Sequence, residues 1–127
     1  MPNLAINGRF KCVEVASMSE VIFYNEITQA GIFRILDLMG GLSAGTWEGI
    51  RLVSSNPSIF VQKDASISRT GNVLQSTAVF PAPELVFETV EIQMFASGVM
   101  VARAPASLVA GQTYYVTRED SLTAEAD

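Results

Sequence analysis

Apolar residues in the stretch from Val90 to Ala96 fall on even positions: Val90, Ile92, Met94 and Ala96. Thr89, Glu91 and Gln93 occupy the odd ones. A period of two places the two sets on opposite faces of a strand. Just upstream the phase is inverted, with Leu85 and Phe87 apolar and Glu84 and Glu88 polar. The change between residues 88 and 90 predicts a bulge, or a strand that bends from one sheet into another. Ser97-Gly98 predicts a hairpin turn. The chain returns as Val99–Arg103, and Pro105 is expected to end that strand, because proline has no N–H for a central ladder. Gly111 opens a last strand over 112–117, with Tyr114 and Val116 on one face and Tyr115 and Thr117 on the other.

The same signals recur along the rest of the chain. Asn7-Gly8, between Leu4–Ile6 and Arg9–Val15, is the strongest short hairpin signal, with a lone turn before one strand as the alternative. Residues 20–28 read as a strand. Residues 31–38 fit a buried strand, slightly favoured, or a short helix near 31–39 that Gly40-Gly41 would stop. Further strands are expected over 46–53, 58–62, 65–69 and 73–80. Turns at Ser54–Pro57, Lys63-Asp64 and Thr70–Asn72 separate them, and Pro81-Ala82-Pro83 is expected to cross between sheets. About eight short strands at 8–12-residue spacing predict an all-β, single-domain antiparallel sandwich or barrel.

Composition sharpens this picture. The chain has 127 residues, 49% hydrophobic and 17% charged. That is enough apolar surface for one core, with a low charge content that leaves some to be covered by partners. No apolar run is long enough for a membrane helix, and the first ten residues lack the pattern of a secretory signal. The net charge of −5 is concentrated at one end: Glu119, Asp120, Glu125 and Asp127 stand without a base, and without them eight bases face nine acids. Residues 119–127 are therefore expected to form a solvated acidic tail on a domain spanning 1–118, with residues 1–6 as an N-terminal arm. A nearly neutral body with two lysines does not fit nucleic-acid binding.

Candidate chemistry is sparse. There is no histidine, so Ser-His and Cys-His pairs and the usual zinc or iron sites are excluded. Cys12 lies among apolar neighbours and reads as a small core hydrophobe, and a single cysteine forms no internal disulfide. Glu84, Glu88 and Glu91 could act as acid and base, or hold calcium, only if a bulge reunited them; a solvated strand face is the plainer reading. Gly40–Gly45 has phosphate-loop glycines but is followed by Thr46-Trp47 instead of Lys and Ser/Thr. No catalytic, cofactor or metal residue is assigned, and no enzyme activity is expected.

A β-rich, lysine-poor chain without a cysteine pair, closing with Ala106–Thr117 (ASLVAGQTYYVT), resembles the small β-sandwich or barrel proteins of tailed-bacteriophage particles, such as capsid decoration (cement) and small tail or connector components. The resemblance covers the last third of the chain. It implies a non-enzymatic structural protein of the virion, assembled in the host cytoplasm. Such a protein would form homo-oligomers and bind repeated copies of a capsid or tail protein. Its interface anchors are expected among Trp47, Phe95, Tyr114 and Tyr115. Two other readings compete. One is a carbohydrate- or ligand-binding domain that uses Trp47 and the tyrosines as a stacking platform; the other is an acidic inhibitor of a basic partner.

Overall fold

A computed structural model describes residues 3–24, 26–27, 33, 49–96 and 99–125. They form a sandwich of two antiparallel sheets. The strands are β1 (Asn3–Glu14), β2 (Ser19–Tyr24), β3 (Glu26–Ile27), β4 (Gly49–Val53), β5 (Phe60–Asp64), β6 (Ser66–Thr70), β7 (Val73–Phe80), β8 (Thr89–Ala96), β9 (Val99–Leu108) and β10 (Tyr114–Glu125). The first sheet runs β2-β1-β10-β7-β6 and the second β3-β9-β8-β4-β5, with β3 only two residues long. Among the described residues no helix is long and apolar enough to cross a membrane.

Alternation explains the core. Phe10, Cys12 and Val116 face inward from the first sheet and meet Ile50, Ile92 and Met94 of the second, all buried. The chain changes sheets at both lateral edges. It passes from β2 to β3 at one edge and, through Ala65, from β5 to β6 at the other. Such corners are how a sandwich turns its edges with continuous chain. Lys63-Asp64 therefore ends β5 at a sheet-to-sheet corner. Pro81–Pro83 makes the predicted crossing, with a 3-10 turn at Ala82–Glu84 between β7 and β8.

Several expectations are met. The phase change near residue 89 is a bulge: the β8–β9 register shifts between Thr89 and Glu91, so Thr89 is buried and Val90 exposed. Val90 therefore leaves the face that Ile92, Met94 and Ala96 share. Thr70–Asn72 is a turn with Gly71 at φ 58°. Ser54 Oγ donates to Asn56 O at 2.7 Å and accepts from Asn56 N at 3.1 Å, closing the predicted Ser54–Pro57 turn.

Other expectations are corrected. Asn7-Gly8 makes no hairpin: both residues lie within β1, opposite Ser121 and Asp120 of β10. β9 continues through Pro105 to Leu108. Among the described residues β9 is bonded on its far side only at Ala102 and Arg103, by β3, so proline takes no donor from a second ladder there. The last strand starts at Tyr114, later than predicted, and runs to Glu125. Residues 119–125 are therefore not a solvated tail, nor are residues 3–6 a free arm. They are opposite ends of a β1–β10 ladder that pairs Asn3 with Glu125 and Glu14 with Tyr114. Residues 31–38 other than Phe33, the Ser97-Gly98 turn and Trp47 lie outside the described residues.

Candidate functional site: an arginine held between two phenylalanines

The outer face of the second sheet carries a row of long polar side chains. Register places Gln62 on β5, Arg51 on β4, Gln93 on β8 and Arg103 on β9 side by side. Each sits at an outward position of a strand whose alternate residues, such as Ile50, Leu52, Ile92 and Met94, enter the core. Phe60 pairs with Val53 and Phe95 with Gly49, so the two rings lie diagonal to Arg51 on either side.

The result is a stack. Arg51 Cζ lies 3.9 Å from the Phe60 ring centroid and 4.2 Å from that of Phe95. Each contact is a cation–π interaction. In the plane of the guanidinium, Nε and Nη2 donate to Gln62 Oε1 at 3.0 and 2.8 Å. Beside it, Gln93 Nε2 donates to Glu91 Oε2 at 2.6 Å. Burial of the guanidinium lowers its pKa, but arginine stays charged at any physiological pH. Phe60 remains 43% exposed. The site is thus a charged and aromatic platform, its arginine held by two rings and an amide, with Phe60 open to an incoming surface. Pre-ordered arginine and aromatic side chains are the groups that carry most energy in protein interfaces.

The four predicted interface residues separate. Phe95 is half of the stack. Tyr115 is 48% exposed but lies on the opposite face of the molecule, between Val13 and Val79 on the first sheet. Tyr114 is a core residue, 5% exposed, and is corrected as an interface anchor. Its hydroxyl accepts from Val109 N at 3.1 Å and donates to Glu14 Oε2 at 3.3 Å. Burial raises its pKa, and the adjacent Glu14 carboxylate adds to the rise. Trp47 lies outside the described residues. Arg51 was missed because it appears in sequence as one charge in Gly49–Val53; that Ile50 and Leu52 flank it was the available signal that it points away from the core.

The acidic trio does not assemble into a cation site. Glu84 is paired with Lys63 at 2.6 Å, Glu91 with Gln93, and Glu88 is exposed. Among the described residues no group of three acids or thiols could hold a metal ion. Cys12 is buried, and desolvation pushes its thiol up to about 12, as the core reading expects. No protein family, curated protein or solved structure matches the chain.

Proposed function

We propose that the chain is a non-catalytic structural component of a bacteriophage particle, binding repeated copies of a capsid or tail protein and assembling with copies of itself. Decoration of a capsid is the favoured role. The observation that supports this reading is the Phe60–Arg51–Phe95 stack: a partly exposed, pre-ordered arginine and aromatic cluster on the outer face of the second sheet, the composition of an interface centre. The stack also supports a second reading, a carbohydrate-binding face, because Phe60 presents an exposed ring beside the amide of Gln62.

Light scattering over a concentration series measures the mass of the chain in solution. A defined trimer, pentamer or larger ring is the expected result. A monomer at every concentration sinks self-assembly and moves the next experiment to a glycan screen, where binding lost in Phe60→Ala supports the second reading.

A further inference from the structure

The first sheet carries a charged group into the core. Arg118 on β10 is fully buried and lies between Phe10 of β1 and Ser76 of β7 in the sheet register. Its Nε donates to Asp120 Oδ1 at 2.9 Å, and its Cζ lies 4.9 Å from the Phe10 ring centroid. Nη2 is 2.8 Å from the same Oδ1, but neither Nη1 nor Nη2 has an aligned acceptor among the described residues. Two further buried atoms nearby, Asp120 Oδ2 and Ser76 Oγ, have no partner among the described residues. Ser76 is directly across the ladder from Arg118, and Asp120 is two residues along β10, opposite Gly8. One spot inside the sandwich thus gathers unpaired donors, an unpaired acceptor and a hydroxyl that can serve as either.

We propose that this spot is a built-in water site, in which one or two ordered water molecules join Arg118, Asp120 and Ser76 and so link β10 to β7. The chemistry selects a small neutral guest. Arg118 and Asp120 already cancel, so a buried anion would leave the site with an uncompensated negative charge, and a cation would meet the guanidinium. Water accepts from the Nη groups, donates to Oδ2 and bonds the hydroxyl. That matches the two to four polar partners that buried waters make.

The test uses the wild-type protein. Long-lived water-to-amide cross-relaxation is expected at the Ser76 and Arg118 amides, and crystals should show a water about 2.7–3.2 Å from an Arg118 Nη and from Asp120 Oδ2. Absence of both signals overturns the proposal. A bromide anomalous peak at the same spot in soaked crystals overturns it in favour of an anion.

Discussion

Gly8 occupies a position that local sequence rules assign to a turn, and the reason it does not turn lies directly across the ladder, on the last strand. A Cβ at residue 8 would fall on Arg118 Nη2, 2.6 Å from Cζ and 2.9 Å from Asp120 Oδ1. Glycine is there so that the buried guanidinium can lie across β1. Gly8→Ala is therefore expected to cost about 1–3 kcal/mol, the range for displacing a buried polar group from its partner, because the guanidinium must move off Asp120. Urea unfolding of Gly8→Ala, Arg118→Met and the double variant gives the coupling, expected to reach about 1 kcal/mol for groups in contact. Additive losses would show that the added methyl does not meet Arg118. The titrating groups set a second expectation. The folded Cys12 thiol is held near 12 by burial, above its ordinary value of 9.0, and Tyr114 is raised by burial as well. Above the ordinary thiol range the unfolded chain therefore binds fewer protons than the folded one, so stability falls as pH rises from about 9 towards 12. Glu119 acts at the other end. Burial alone would raise its pKa, but hydrogen bonds from Gln75 and Arg9 outweigh that and lower it, so its contribution is present above the ordinary carboxylate range and lost on acidification. Denaturation midpoints across pH check both limbs, with Cys12→Ala expected to flatten the alkaline one. A thiol reagent at pH 8 should leave Cys12 untouched until the protein unfolds.

Strands were legible where one face is apolar and the other polar, as in β8 beyond its bulge, because period two survives in the sequence wherever a sheet separates core from water; β7, with Ser76 turned inward and Val79 outward, was legible from the turns that flank it. The bulge at Thr89 was legible too, as a broken phase. The ends of the chain were not. Residues 119–125 are acidic and read as solvated, yet β10 places them in the ladder, where Glu119 is tied to Arg9 at 2.7 Å and to Gln75 at 3.0 Å, and Asp120 is tied to Arg118. Composition reports how polar a segment is, but the partners of Glu119 come from strands more than forty residues away, 110 for Arg9 and 44 for Gln75. Removal of residues 119–127 decides between the two readings. A solvated tail would be removable without effect. A strand that β1 and β7 both pair with is not: the truncated chain is expected to lose its cooperative thermal transition. An unchanged midpoint would return these residues to the status of a tail. The same blindness hid the candidate site. Phe95 was legible as an aromatic on a strand, whereas Arg51 and Phe60 gain their meaning only from cross-strand register.

At the scale of the molecule, the two sheets have different outer faces. The first is laced by short polar contacts, with Thr77 and Thr117 hydroxyls 3.0 Å apart and the Arg9–Glu119–Gln75 chain beside them. Those groups largely satisfy one another. The second presents the Arg51 stack and the exposed Arg103, a face that can gain contacts by docking. Arg51 is therefore where assembly and folding can be separated. It lies outside the core, so Arg51→Ala is expected to leave the unfolding midpoint near the wild-type value, within the range of about 0.5 kcal/mol usual for surface changes plus the loss of two cation–π contacts. Association should respond far more. Arg51→Lys keeps the charge but loses the planar group that stacks between two rings and the fork that Gln62 accepts from. If the face is the assembly surface, both variants lower the mass measured by light scattering at a concentration where the wild-type chain is oligomeric, with lysine failing nearly as badly as alanine. If charge alone drives association, lysine retains the wild-type mass and added salt dissolves the oligomer. An oligomer unchanged in Arg51→Ala rules out this face and leaves the Val13–Tyr115–Val79 spot on the first sheet as the next surface to mutate.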